Sequence, residues 1–182
     1  MQLICVAGEA KHGKDTVSDY IIENYPNGIK LQFAYLLKKE ACKLLKVSLD
    51  ELNHYKDTNT LLYGKINVRV FLQELADTMR AVDEKVFAKY VQCAIRKMLK
   101  KGYSYVVVSD LRKHIELDSM KDMNLDMLSI RVERDNIEKI KTNNHNSETE
   151  VKDLNVDVVI KNNGTLEQLY NKVAIVMETK IK

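Results

Sequence analysis

The chain has 182 residues, 45% hydrophobic and 30% charged, and 29 Lys and Arg against 26 Asp and Glu leave a net charge of +3. That balance excludes a whole-chain basic field for holding nucleic acid or a membrane surface, and a single proline with six glycines excludes low-complexity and collagen-like sequence. One compact domain is expected, in the cytoplasm, because no apolar run spans a membrane and Met1 leads into the first apolar run without a basic leader or cleavage site.

Residues 3–7, Leu3-Ile4-Cys5-Val6-Ala7, stop at Gly8 and read as a strand buried on both faces of a parallel sheet. Residues 15–24 read as a helix with Val17, Tyr20 and Ile21 on one side, closed by Pro26-Asn27-Gly28. A second strand is expected at 29–33 and a second helix at 34–46, where Leu36, Leu37, Ala41, Leu44 and Leu45 recur at helical spacing. Ser48, three residues before Glu51, is a capping-box start for a further short helix. Periodicity fades over 56–68, which predicts a polar surface loop. Helical spacing returns at 70–81 and 85–100, the latter ending on Lys97, Lys100 and Lys101 before Gly102. Val106-Val107-Val108 mark the clearest strand, at 103–109. A helix at 115–120, a strand at 127–132, a polar insertion at 133–153, a strand at 156–160 and a helix at 165–179 complete the order. Strands and helices alternate almost throughout, so a mostly parallel α/β sheet covered on both faces is expected. Cys5, Cys42 and Cys93 have neither zinc-site nor disulfide-framework spacing, and all three read as buried free thiols.

Gly8-Glu9-Ala10-Lys11-His12-Gly13-Lys14 has the G-x-x-x-x-G-K spacing of a phosphate-binding loop and lies between the first strand and the first helix. The glycines let backbone wrap a phosphate, the helix N-terminus adds partial positive charge, and Lys14 reaches the outer phosphates. Asp15 follows Lys14, so the hydroxyl arrives one place later than the strict pattern, at Thr16. Asp15 reads either as a first-turn acid that favours the helix dipole or as a group that holds hydrated Mg²⁺ with Thr16. Asp110 ends the clearest strand at the edge where parallel sheets bind ligands, a candidate to hold Mg²⁺ through water; Arg112 offers a planar fork to a phosphoryl group. A loop ion pair of Asp110 with Arg112 or Glu116 is the plainer alternative. Arg69 and Arg80 lie about three helical turns apart, and Gln73 is one turn beyond Arg69; they line one groove or are simply solvated. The 133–153 insertion, with Arg131 and Arg134 at its start and His145 inside, reads as a lid or as an exposed loop. His12, His114 and His145 carry no catalytic claim by themselves.

In this order the segments resemble the phage-type deoxynucleoside monophosphate kinases, P-loop enzymes related in fold to adenylate and thymidylate kinases. The resemblance covers nearly the whole chain. It rests on Gly13-Lys14-Asp15-Thr16, on Phe33-Ala34 with Leu37-Lys38, and on Arg69-x-Phe71-Leu72-Gln73 with Arg80 and Asp83. Asp110-x-Arg112 with Glu116, His145-x-Ser147-Glu148 and Asn162-Asn163-Gly164-Thr165-Leu166 continue it. It implies a P-loop NTPase three-layer αβα fold with a five-stranded parallel sheet of the nucleoside monophosphate kinase type. The single domain 1–182 would carry a monophosphate-binding helical insertion near 34–100 and a lid near 133–153.

The activity implied is transfer of the γ-phosphoryl group of ATP, with Mg²⁺, to a deoxynucleoside monophosphate, giving a diphosphate and ADP in the cytoplasm of a host cell. Gly8, Lys11, His12, Gly13, Lys14, Asp15 and Thr16 would form the ATP-phosphate site, and Arg69, Gln73, Arg80 and Arg112 the monophosphate site. Lys14, Asp110, Arg112 and Arg131 would act on the transferred group, with Mg²⁺ near Asp15, Thr16 and Asp110, and Arg131 or Arg134, with the segment from His145 to Glu148, would belong to the lid or donor side. The partners implied are small-molecule substrates, without membrane or stable nucleic-acid binding, and a homodimer is left open.

Three departures bear on the base accepted: Lys113 where an aromatic is usual, no tryptophan, with Phe87 its nearest stand-in, and Ala76-Asp77 in place of a Gly-Thr-like pair. A modified base in DNA or a phosphorylated metabolite are alternative acceptors, the first disfavoured by the lack of a basic track. A nucleotide-binding regulator is the alternative from another class, although the guanine-reading Asn/Thr-Lys-x-Asp motif is missing.

Overall fold

The computed structural model describes residues 2–135 and 146–180, with the backbone alone for 146–149. In chain order the elements are β1 (Gln2–Ala7), α1 (Lys14–Asn24), β2 (Gly28–Leu31), α2 (Ala34–Leu45), α3 (Leu49–Thr58), β3 (Leu61–Leu62), β4 (Ile66–Asn67) and α4 (Val68–Val82). They continue with α5 (Val86–Lys100), β5 (Tyr105–Leu111), α6 (His114–Lys121), β6 (Asp126–Glu133), α7 (Asn146–Asp153), β7 (Val158–Lys161) and α8 (Leu166–Lys180). Five strands form one sheet in the order β2-β5-β1-β6-β7, with every neighbouring pair parallel. β1 is buried along its whole length, as its apolar run requires of a central strand covered on both faces.

Strand side chains alternate between two cores. Leu3, Cys5 and Ala7 of β1, with Val106 and Val108 of β5, meet Phe87, Val91 and Ile95 of α5 and Leu117 and Met120 of α6. Ile4, Val6 and Val107 point the other way, onto Val17 and Ile21 of α1 and Leu169, Val173 and Met177 of α8. The three-layer αβα sandwich and five-stranded parallel sheet expected from the sequence are therefore present. Each fully buried aliphatic side chain stabilises the fold by roughly 1.5–3 kcal/mol, more than an exposed ion pair, so these two cores hold the sheet together. No helix among the described residues is long and apolar enough to cross a membrane.

A third cluster joins α2, α3 and α4 through Ala41, Leu45, Leu52, Leu62, Val68 and Leu72. Ser48 and Glu51 form the expected capping box at the start of α3. The polar loop expected over 56–68 is instead the end of α3 followed by a small antiparallel hairpin, β3 with β4. Too few residues alternate for its period to register in the sequence, yet Leu62 is buried and the Tyr63 hydroxyl donates to the Leu45 carbonyl at 2.8 Å. The 133–153 segment is likewise not polar loop to its end: α7 closes it, with Val151 just beyond the middle of that helix, and Val151 and Leu154 sit in the first core.

The cysteines also divide. Cys5 is buried in β1, and burial pushes its thiol up to about 12, so it is an inert core residue. Cys42 is half-buried and Cys93 exposed, correcting the expectation of three buried thiols. Cys93 sits two residues after buried Val91, which turns it to the outer side of α5.

Candidate active site

The chain between β1 and α1 lies beside the crevice of the sheet, where successive connections leave in opposite directions and parallel α/β sheets bind ligands. Gly13 caps α1 with φ +99°, and a Cβ there would lie 2.6 Å from the Asn162 side-chain nitrogen. That nitrogen donates to the His12 carbonyl at 2.9 Å, so the β7–α8 loop fastens the phosphate loop from outside. A Cβ on Gly8 would lie 2.9 Å from the Val132 carbonyl, which brings the loop close against β6. His12 is held at both ring nitrogens: Nδ1 accepts from the Arg134 backbone N–H at 3.3 Å and Nε2 lies 3.1 Å from the Glu9 carboxylate. The first turn of α1 retains the backbone N–H groups that every helix start leaves without intrahelical partners.

Lys14 is buried, at 7% exposure, and its ammonium lies 3.0 Å from the Asp15 carboxylate. Both residues line two hollows. One, of about 360 Å³, opens toward Lys11, Thr16, Arg134, Asn162 and Leu166. The other is a groove of about 410 Å³ running toward Arg69. Lys14 and Asp15 therefore stand at the junction of two adjoining spaces.

Arg69, Gln73 and Arg80 all line the second groove from α4, as their helical spacing allows, and Arg112 lines it from the end of β5. Arg80 stacks over Phe87 at 4.9 Å from the ring centroid and lies 3.7 Å from Asp77. Asp110 accepts from the backbone N–H groups of Phe33 at 2.7 Å and Ala34 at 2.9 Å, and so ties the end of β5 to the start of α2. Burial holds its carboxyl above the ordinary carboxylate range, opposed by those N–H groups and by the charges of Arg112 and Lys14. Glu116 is 5% exposed and accepts from the Arg112 and Lys113 backbone N–H groups at 3.0 and 3.1 Å. Burial pushes it up to about 7, with the Asp110 charge adding to the rise against the pull of those N–H groups and of Arg80. Burial, with the nearby Lys56 charge, lowers Lys38, which also lines the groove.

Residues 40–173 match the sequence model of the deoxynucleotide monophosphate kinase family. The chain belongs to that family. The match begins beyond the phosphate loop, so the loop stands on its own geometry. Among solved structures, TT1252 from Thermus thermophilus is 15% identical over 99% of this chain and 98% of its own, with a TM-score of 0.53. The dephospho-CoA kinase from Campylobacter jejuni is 13% identical over 98% of this chain and 96% of its own, with a TM-score of 0.55. The shikimate kinase from Aquifex aeolicus is 13% identical over 98% and 97%, with a TM-score of 0.51. At these identities the likeness is one of fold, that of the P-loop kinases. No curated protein sequence matches the chain. As a member of the deoxynucleotide monophosphate kinase family with this fold, the chain is an ATP-dependent phosphotransferase.

In this kinase the residues singled out in the sequence separate into groups. Lys14, Asp15, Arg69, Gln73, Arg80, Asp110 and Arg112 share the groove, and Lys11, Gly13 and Thr16 line the adjoining hollow. His12 braces the loop, while Gly8 allows its close approach to β6. Arg131 lines neither hollow: its Nε donates to Glu133 at 2.8 Å and Nη1 to the Leu154 carbonyl at 2.6 Å, so it braces β6 against the end of α7. Arg134, three residues on, lines the smaller hollow beside the phosphate loop. His145 lies outside the described residues, as do the side chains of Ser147 and Glu148. Lys113, Phe87, Ala76 and Asp77, the departures noted in the sequence, all line the groove. Gln32 and Lys56 line it too and were not singled out; Gln32 follows the C-terminal end of β2, the edge rule that drew attention to Asp110, but its strand is short and weakly marked.

Proposed function

We propose that the kinase transfers the γ-phosphoryl group of ATP to the phosphate of a deoxynucleoside monophosphate, yielding a deoxynucleoside diphosphate and ADP. What supports this acceptor is the state of the groove's carboxylates. Asp15 is paired with Lys14, Asp77 with Arg80, Asp110 accepts two backbone N–H groups and Glu116 two more. An alcohol acceptor profits from a carboxylate free to take its proton, whereas an acceptor phosphate is already anionic and needs alignment and charge neutralisation instead. The groove offers Lys14, Arg69, Arg80 and Arg112 for that task.

In this reading the loop amides and Lys14 hold the donor phosphates at the junction, and Thr16 and Lys11 flank them on the donor side. Arg112 and Arg80 hold the acceptor phosphate, while Arg69 and Gln73 meet the nucleoside farther along α4. Thr16 and Asp15 would hold Mg²⁺ beside the loop, where it would supply neutralisation of the charge that develops during transfer. The residues present suit it: Thr16 and Asp15 supply oxygens beside the loop. Asp110, its carboxylate engaged by α2, would reach that ion through water. The helical insertion 34–100 forms the acceptor side in this reading, and the stretch 133–153 the lid side.

The test is ADP formation from Mg-ATP with each deoxynucleoside and ribonucleoside monophosphate in turn, and with dephosphorylated nucleosides as alcohol acceptors. Turnover with one or a few deoxynucleoside monophosphates is expected. Turnover with a nucleoside but with no monophosphate would overturn the acceptor assignment.

A further inference from the structure

The helix α7 (Asn146–Asp153) reaches both sides of the site. Val151 and Leu154 bury it in the core it shares with α5 and α6, at 2% exposure each. Arg131 donates to the Leu154 carbonyl just beyond its end. The body of the helix is therefore fixed on the fold, and the residues flanking Val151 turn outward from that anchor in different directions. Glu150 accepts from the Lys113 ammonium at 3.1 Å and from the His114 backbone N–H at 3.4 Å. Those two residues follow Arg112 directly, and Lys113 lines the acceptor groove. Lys152 lies 3.4 Å from the Glu9 carboxylate, whose other oxygen lies 3.1 Å from His12 in the phosphate loop. One rigid turn of helix thus touches the loop bearing Arg112 through one charge and the phosphate loop through the opposite charge.

We propose that α7 is a positioning strap that couples the two substrate sites, with Glu150 setting the acceptor-side loop and Lys152 the phosphate loop. The proposal rests on the reading that the two hollows take a nucleotide donor and a monophosphate acceptor. A ligand that settles the phosphate loop holds Glu9 on Lys152 and, because the anchored helix keeps Lys152 and Glu150 at one spacing, favours the arrangement in which Glu150 holds the segment after Arg112. The second substrate then meets a site already ordered, which is positive coupling between the two ligands. Glu150 and Lys152 are positioning residues, since their contacts are with Lys113, His114 and Glu9. Side-chain exposures of 18% and 33% for Lys113 and Glu150, and of 62% and 24% for Lys152 and Glu9, mark weak pairs. The expected changes are accordingly about 2–5-fold and not loss of activity.

The experiment is calorimetric binding of the monophosphate that turns over best, with and without a saturating non-hydrolysable ATP analogue and Mg²⁺. It is run on the wild type, Glu150→Gln, Lys152→Met and the double variant, with turnover assayed separately. In the wild type the analogue tightens monophosphate binding. Either substitution removes most of that tightening, and the double variant is no worse than either alone, because each cuts the same strap. A merely structural role would lower stability and leave the coupling factor unchanged. An unchanged factor in Glu150→Gln, additive losses, or no coupling in the wild type would overturn the strap while leaving the kinase reading intact. No turnover with any monophosphate would overturn the kinase reading and the strap with it.

Discussion

The phosphate loop and the groove proposed for the acceptor meet at Lys14 but are built in opposite ways. The loop is one contiguous stretch whose geometry is set by backbone: a left-handed Gly13, a close approach at Gly8, and the start of α1. The groove is assembled from side chains on α2, α3, α4, α5, β5 and the segment after it, with Glu116 of α6 among them. A backbone-built site tolerates varied side chains, as Asp15 in the place of the usual hydroxyl illustrates, because the N–H groups do not depend on residue type. A side-chain-built site changes its ligand with each substitution. Under the proposed function, catalytic competence would be concentrated in the loop and selectivity in the groove.

The largest expected effect tests the junction itself. Lys14→Ala should lower turnover by about a thousandfold or more, roughly 4 kcal/mol of transition-state stabilisation, by analogy with removal of other charge-stabilising donors. Steady-state rates alongside thermal melting would check this, and near wild-type activity would break the assignment of the loop. Arg112→Ala should cost about a hundredfold in kcat/KM for the monophosphate while changing the KM for ATP little, since this arginine lines only the groove. A matching loss on the ATP side would erase the division between the two regions.

Glu116 sharpens the comparison through pH. Its folded carboxyl is raised from 4.5 to about 7, so the folded state binds its proton more tightly than the unfolded state does. Stability should therefore fall as pH rises from about 4.5 to about 7 and then level off, the loss being on the order of 3 kcal/mol. Glu116→Gln keeps an acceptor for the Arg112 and Lys113 N–H groups and should lack this part of the slope. Urea melts of both proteins across that window would show it, and parallel curves would remove the carboxyl from this role.

The smallest effects separate two left-handed glycines. Gly13→Ala adds a Cβ 2.6 Å from the Asn162 side chain at φ +99°, whereas Gly102→Ala at φ +84° meets nothing within 4 Å. The first should cost about 1–3 kcal/mol and weaken ATP binding, and the second about 1 kcal/mol with ATP binding unchanged. Equal ATP affinity in both variants would show that the backbone of the loop matters less than its lysine.

The sequence by itself determined the five strands of the main sheet with most of the helices between them, and the position of the phosphate loop, because each rests on neighbouring residues. Burial of β1 follows from five consecutive apolar residues, and α4 carries Arg69, Gln73 and Arg80 along one groove because helical spacing is a local property. The hairpin at Leu61–Leu62 and Ile66–Asn67 escaped because two-residue strands have no period, and its stability comes from α2 and α4. Only the tertiary structure decided that Asp110 holds the start of α2, that Arg131 braces β6 while Arg134 lines the hollow beside the phosphate loop, and that α7 reaches Lys113 and Glu9 together. Each of these joins residues more than twenty positions apart or chooses between near neighbours on a strand, and sequence spacing carries no information about contacts made when distant segments pack.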